Sequence, residues 1–355
     1  MSMRNNISRV SLKPSQHGLS MVEIMIALLL GSLLTFGIVQ IFTSNSQTFR
    51  LTDADARAQE AGRTAADVLS RALRNAGYFG CFPVNGIHNN LNDSDSDYSA
   101  VLHDIRKEGI FVDDTVRPAT ALNNTDFFLV SGARSNGTSI TLATETANAA
   151  SIELSAQGDL AQGDIVLVSD CSHGDIIEIS DLQVAGGKVT LVANTNDSAP
   201  GNDFTGNSPA GCTAAGSCLS ARYDTDARVL PLYNETYYVA DSGGRVGLYL
   251  RDRTGAAVEL VSGVVNMQVR FGRGNPETGV QSWVSGAAVT DWSEVMAAQV
   301  SLLVRAGPDN LLSAAQSYCY PGWLVCNDST VPLSTAPDRR LYRVYTFTAS
   351  LRNRI

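Results

Sequence analysis

Glu23 is a single carboxylate at the mouth of an uncharged run. From Ile24 to Phe42 the chain reads IMIALLLGSLLTFGIVQIF, nineteen residues without a charge. An acid carried into hydrocarbon is costly unless it is paired, and intramembrane acids are retained for function. The second set of reactive groups is six cysteines, Cys81, Cys171, Cys212, Cys218, Cys319 and Cys326, all beyond residue 80. That placement fits a part of the chain exported to an oxidising compartment. Cys212 and Cys218 lie six apart and Cys319 and Cys326 seven apart, so each pair closes a small local loop and leaves Cys81 with Cys171. This is one of fifteen connectivities that six cysteines allow.

Rival chemistries are weaker. Metal binding by these cysteines would need CxxC spacing, which is absent, and beyond residue 18 the only histidines are His88, His103 and His173. No metal site and no cofactor is expected. Asp93-Ser94-Asp95-Ser96-Asp97 alternates like the start of a calcium loop, but an EF-hand would need Gly at Tyr98 and Glu at Asp104. A solvated acidic loop is the better reading. Trp283, Trp292 and Trp323 suit a binding patch, although aromatics in a β domain are more often core. There is no GxSxG elbow, P-loop, HExxH or strand-linked GxGxxG, so the chain is not expected to be an enzyme.

The elements that carry these groups follow from patterning. The chain has 355 residues, 44% of them hydrophobic and 17% charged, which is a globular composition. Its net charge is −9. Residues 1–18 hold Arg4, Arg9 and Lys13 and no acid, so the remainder carries 23 basic against 35 acidic residues, net −12. Such a surface argues against nucleic acid as a partner. As a helix, Ile24–Phe42 would cover about 28 Å, close to a bilayer core, with the basic residues holding its N-terminal side in the cytoplasm. Residues 43–50, TSNSQTFR, offer no small-x-small cleavage site, and no Cys precedes Cys81 for a lipid anchor.

Beyond Phe42 the pattern becomes amphipathic. Ala58, Ala61, Ala65, Val68, Leu69, Ala72, Leu73 and Ala76 recur at helical spacing, with Arg57, Glu60, Arg63, Asp67, Arg71 and Arg74 on the wet face. No Pro occurs between Pro14 and Pro83, and Gly77 is a natural stop. One helix over residues 19–76 would be about 87 Å long, apolar over 19–42 and amphipathic over 43–76. Residues 77–355 read as a β-rich head. Val265–Phe271 alternates strictly, and Ala298, Val300, Leu302 and Val304 mark a second half-buried strand. Leu182–Val192 around Gly186-Gly187 and Val239–Leu250 around Gly243-Gly244 read as tight hairpins. Asn90–Ser99 and Asn194–Ser217 are polar loops. The fold class is therefore α+β, a long membrane-spanning N-terminal helix followed by antiparallel sheets.

His17-Gly18-Leu19-Ser20-Met21-Val22-Glu23 resembles the class III signal of type IV prepilins, in which a peptidase cuts after Gly and methylates the new amine. Gly18 matches, Leu19 stands where Phe is usual, and Glu23 matches. The resemblance implies a cleaved leader 1–18, processing at Gly18 and Leu19, and a mature chain Leu19–Ile355. It also implies that Glu23 docks the subunit by meeting the N-terminal amine of a neighbour. Tyr78–Cys81, Gln162–Cys171, Glu259–Val269 and Arg339–Arg354 look like the PilW family of minor pilins. That resemblance implies a pilin-like fold and a structural role in priming pilus assembly near the tip. Implied partners are other minor pilins, the major pilin, the prepilin peptidase, the inner-membrane assembly platform and a PilY-type adhesin. It implies a head in the periplasm and then on the fibre at the cell surface. The rival readings are a type II secretion pseudopilin of the GspJ kind and a membrane-tethered adhesin or binding module using the two polar loops.

Overall fold

The computed structural model describes residues 18, 20–81, 86–99, 103, 109–141, 151–195, 200–207, 209, 212, 217–327 and 330–354. Its contacts divide the chain into two units, Met1–Asp53 and Ala54–Ile355. A single helix, α1 (Met21–Asn75), begins in the first and ends in the second. In the first unit, the helix residues from Met21 to Phe42 are almost all exposed, and an 18-residue window with mean hydropathy 2.3 has no buried residue.

The second half of α1 is held by a seam of small side chains. Ala54, Ala58, Gly62 and Ala65 are buried, followed by the larger Leu69 and Leu73, while Arg57, Glu60, Arg63, Asp67, Arg71 and Arg74 stay exposed. The steps of three and four keep these residues on one face. Gly77, at φ 74°, ends the helix, and its N–H donates to Ser131 O at 2.8 Å.

The strands begin with β1 (Ile87–Asn89), β2 (Ile110–Phe111), β3 (Phe128–Ala133), β4 (Thr138–Ser139) and β5 (Ile152–Leu154). Next come β6 (Ile165–Ser169), β7 (Gly174–Glu178), β8 (Asp181–Ala185) and β9 (Lys188–Val192). The long β10 (Arg228–Ser242) precedes β11 (Arg245–Arg251), β12 (Ala257–Ser262), β13 (Val264–Asn275) and β14 (Gly279–Ser285). The chain closes with β15 (Val295–Ala306), β16 (Ser317–Tyr318), β17 (Ser334–Thr335) and β18 (Leu341–Ser350). A nine-stranded sheet has the main path β1-β7-β6-β10-β11-β12, and a four-stranded sheet runs β14-β13-β15-β18. The named ladders are antiparallel except β1 with β7. The architecture is the α+β arrangement expected from the sequence.

Both glycine hairpins form as read. Ala185 pairs with Lys188 across Gly186-Gly187, and Ser242 pairs with Arg245 across Gly243-Gly244. All four glycines have positive φ, the requirement of a two-residue turn whose twist suits the strands. The strictly alternating segment lies in β13, where Met267, Val269 and Phe271 are buried. Ala298, Val300, Leu302 and Val304 are buried on β15, but that strand is not half-buried as its alternation suggested. Ser301 and Leu303 are also covered. Ser301 Oγ accepts from Thr346 Oγ1, its neighbour on β18, at 3.0 Å and from Gly322 N at 2.9 Å, because the segment between β15 and β18 folds back over the outer face.

The inner faces of β13, β15 and β18 share one core with α1 and with residues of β3, β10 and β11. β18 follows α1 closely. Arg343 Nε donates to Asp55 Oδ1 at 2.8 Å, the Tyr345 ring lies over Gly62, and Asn353 Nδ2 donates to Ala76 O at 3.0 Å. Ten residues of near-extended chain and twenty-one of helix cover about the same 32 Å, so the two elements keep step. A Cβ on Gly62 would come within 2.3 to 2.5 Å of three atoms of the Tyr345 ring. Gly62→Ala should lower stability by about 1–3 kcal/mol through this overlap. At a free helix position the same change gains about 1 kcal/mol. In a Tyr345→Ala background the substitution should become stabilising, read by urea denaturation of the full chain in detergent.

Candidate functional site

The candidate site of the first unit is the exposed apolar face of α1 with its one acid. Glu23 sits in the first turn of the helix, on the exposed surface. A carboxylate there complements the unpaired N–H groups and partial positive charge of the helix start. Hydroxyls further along are already satisfied: Ser32 Oγ donates to Leu29 O and Thr35 Oγ1 to Gly31 O, both at 2.8 Å. Between Met21 and Phe42 this leaves Glu23 and Gln40 as side chains with polar groups to satisfy. Gly18 is described and exposed, whereas Leu19 and residues 1–17 lie outside the described residues. Gly31 and Gly37 have open space where a Cβ would stand.

In the second unit the six cysteines are bonded as Cys81–Cys171, Cys212–Cys218 and Cys319–Cys326. The first spans 90 residues and ties the segment just after α1 to the turn between β6 and β7. Cys171 has φ 69°, a left-handed conformation that a non-glycine residue rarely adopts. Asp170 secures that turn: its Oδ1 accepts from Ser172 N at 2.8 Å and His173 N at 2.6 Å, and its Oδ2 lies 3.3 Å from His173 Nδ1. Burial pulls the Asp170 carboxyl upward, but those hydrogen bonds outweigh it and leave the pKa below the usual carboxylate value.

The two polar loops are not simply solvated. Asp175, fully buried on β7, accepts from Asn90 Nδ2 at 2.8 Å, Ser220 Oγ at 2.8 Å and Tyr223 Oη at 2.6 Å. Glu178 Oε2 accepts from Gly201 N at 2.8 Å, and Asn202 Oδ1 accepts from Glu178 N at 2.7 Å. The amides of Asn90 and Asn202 are therefore turned inward, and a composition of Asn, Ser and Gly gave no sign of it. The Asp93–Asp97 run forms local turns, with Ser94 N bonded to Asn92 Oδ1 and Asp97 N to Asp95 Oδ1. Among the described residues no group of three His, Cys, Asp or Glu side chains is placed to hold a metal ion.

The tryptophans divide. Trp292 packs edge-on against Phe271, with ring centroids 4.9 Å apart, at the margin of the core. Trp283 and Trp323 instead flank Arg270, at 5.2 and 4.8 Å from ring centroid to guanidinium carbon. Arg270 was not among the residues the sequence singled out. The signal for it was its place on the outward parity of β13, opposite the alternation of Met267, Val269 and Phe271.

A long apolar N-terminal helix leading into an antiparallel β-rich domain is the pilin-like class of α+β architecture. Within it, residues 236–353 match the family model of PilW, Type IV Pilus-assembly protein W. That segment runs from the second half of β10 through β18 to Asn353, the residue that bonds the end of α1. The suspected PilW kinship is thus supported over the last third of the chain, and the protein is type IV pilus-related. Glu259–Val269 and most of Arg339–Arg354 fall inside the match, while Tyr78–Cys81 and Gln162–Cys171 fall outside it. No curated protein and no solved structure matches the chain.

Two outcomes test this geometry. Without reductant, no thiol should be alkylated, and Cys81→Ser with Cys171→Ser should lower stability by about 2–4 kcal/mol. The Asp170 tie is at full strength above the unfolded-state pKa of about 3.9 and is lost as pH falls through the lower folded-state value. Asp170→Asn should therefore be less stable than the parent near neutral pH. The gap should narrow as pH falls below the unfolded-state value of about 3.9, as denaturation curves over a descending pH series will read.

Proposed function

We propose that this chain is a structural minor pilin, with no catalytic role of its own. The observation that carries the reading is the uncovered apolar half of α1, with a single carboxylate in its first turn. Such a surface is stable only in hydrocarbon or against other helices of its kind. In this reading the leader is removed after Gly18, and Leu19 becomes the methylated N-terminus. Residues 19–42 hold the subunit in the inner membrane with residues 77–355 in the periplasm. When the subunit joins the filament, Glu23 meets the terminal amine of a neighbour, which removes the cost of carrying an unpaired acid among apolar helices.

The family match supports a place in pilus assembly, and the size of the β-rich unit favours a low-copy subunit near the tip over a repeated one. Its neighbours would be other minor pilins and the major pilin, with a PilY-type adhesin at the tip. The inner-membrane platform and the prepilin peptidase act on it earlier. Net −12 after removal of residues 1–18 disfavours direct capture of DNA, because the surface repels phosphates.

The decisive experiment is intact mass and N-terminal sequencing of the protein from its native membrane, with and without the prepilin peptidase. An N-methylated Leu19 that depends on the peptidase is expected, and a chain still beginning at Met1 would overturn the reading. Glu23→Gln should remain processed and membrane-bound but fall by about tenfold or more in sheared pili, in line with loss of a buried ionic partner. Equal incorporation of the variant would remove Glu23 from the docking step.

A further inference from the structure

The outer face of the four-stranded sheet carries an arrangement that folding alone does not require. Arg270 projects from β13 between two indoles. Trp283 comes from β14, the edge strand, where it pairs with Gly272. Gly272 leaves room for it, since a Cβ there would press on both Trp283 and Val280. Trp323 comes from the loop closed by Cys319–Cys326. That loop is fixed to the sheet through Gly322 N on Ser301 Oγ and through Tyr320 Oη, 2.9 Å from Asn266 Oδ1. Disulfide, strand and loop thus hold two indoles against one guanidinium.

Indoles accept no N–H hydrogen bond in their plane, so the five N–H donors around the edge of the guanidinium are left to be satisfied by other groups. One side of that edge is occupied, by Nε donating to Gln299 Oε1 at 2.6 Å. Among the described residues no carboxylate lies within ion-pair distance of Arg270. Elsewhere on the same unit, Arg134, Arg253, Arg273 and Arg343 each have one, in Glu235, Asp164, Glu294 and Asp55. Arg270 thus stands beside a neutral amide in a chain of net charge −9.

The surroundings decide what would approach. Val325, 82% exposed, and Leu324 lie in the same disulfide loop as Trp323, and Val280 is exposed beside Trp283. Tryptophan and arginine ringed by apolar side chains are the composition of an interface centre. A wholly apolar partner closing over this patch would strip water from an unpaired guanidinium and be rejected, while a partner that brings a carboxylate would satisfy it with a planar two-point bond. We infer that the Trp283–Arg270–Trp323 stack, with Val280, Leu324 and Val325, docks a partner protein that presents a carboxylate side chain among apolar ones. The inference uses only the surface of the second unit and is independent of how the first unit is processed.

The test uses the full chain in detergent micelles, titrated with an acetylated heptapeptide of alternating leucine and glutamate, and reads tryptophan emission. A saturable change is expected. It should weaken about tenfold or more when glutamine replaces glutamate in the peptide, and likewise in Arg270→Lys, which keeps the charge and loses the planar fork. Val325→Asp, at an exposed position, should weaken the acidic peptide more than the neutral one, because it adds repulsion to the apolar contact that both lose. Mass analysis of each variant confirms that Cys319–Cys326 is formed. Equal response to both peptides, or to the parent and Arg270→Lys, would reduce the stack to a clamp for the loop. Arg270-dependent binding of trigalacturonate without binding of the peptide would replace the protein partner with an acidic saccharide. Asp328, two residues past Cys326, lies outside the described residues and is the acid nearest to the loop in sequence. Asp328→Asn should leave peptide binding unchanged; if it tightens binding by tenfold, the chain supplies its own acid and the inference falls.

Discussion

The close contact between the second half of α1 and the sheet that ends in β18 organises the protein. Small residues at Ala54, Ala58, Gly62 and Ala65 let a helix approach a sheet more nearly than a leucine seam would, and the Tyr345 ring fills the space above Gly62. The contact is distributed along the helix, from Asp55 through Gly62 to Ala76, so no single tie carries it. It also resolves the end of the helix. The last carbonyls of α1 need donors, and Tyr233 Oη supplies Asn75 O at 3.0 Å while Asn353 supplies Ala76 O. The chain's first element is therefore completed by nearly its last, and the Cys81–Cys171 bond fixes the exit point between them.

Where the core is shared, the two sheets divide the remaining work. The long β10 pairs with β4 and β6 over Arg228–Pro231 and then with β3 and β11 over Leu232–Ser242, so one strand joins the Asp175 region to the helix-facing core. The Asp175 network holds its loops by charge-assisted bonds in a low-dielectric setting, where each fully satisfied donor adds rigidity. The outer face of the four-stranded sheet is covered differently. The side-chain amide of Gln316 takes the place of a neighbouring backbone, its Oε1 accepting from Tyr342 N and its Nε2 donating to Tyr342 O at the edge of β18. An edge satisfied in this way is less open to chance pairing with another chain.

Much of this was legible in the residues because local rules and the final fold agree. Helical spacing gave the buried face of α1, and the Gly-Gly pairs gave both hairpins, since only positive φ at both positions closes a two-residue turn with the right twist. What escaped were features set by contacts distant in sequence. Ser301 reads as the polar side of an alternating strand, and its burial depends on a loop some twenty residues later. Gly62 drew no reading from the sequence, and its role shows only when Tyr345, nearly three hundred residues on, is placed above it. Pro231, which drew no reading from the sequence, marks where β10 exchanges one set of partners for another. Arg270 drew no notice because a lone arginine on a strand's outer parity is ordinary, and only the fold brings two indoles to it.

The two candidate surfaces share a principle at opposite extremes of environment. On α1 the hydroxyls turn back onto their own helix, so the polarity left to the apolar half is concentrated in Glu23 near its start and Gln40 near its end. On the sheet, local salt bridges neutralise several arginines and leave Arg270 among indoles and aliphatic side chains. In each case a charged group in apolar surroundings discriminates more sharply than the same group in water. An incorrect partner there forfeits hydration with no ionic return, whereas a fitting one regains it through a directed bond. Apolar contact gives such surfaces their affinity, and the isolated charge sets which partner can use it.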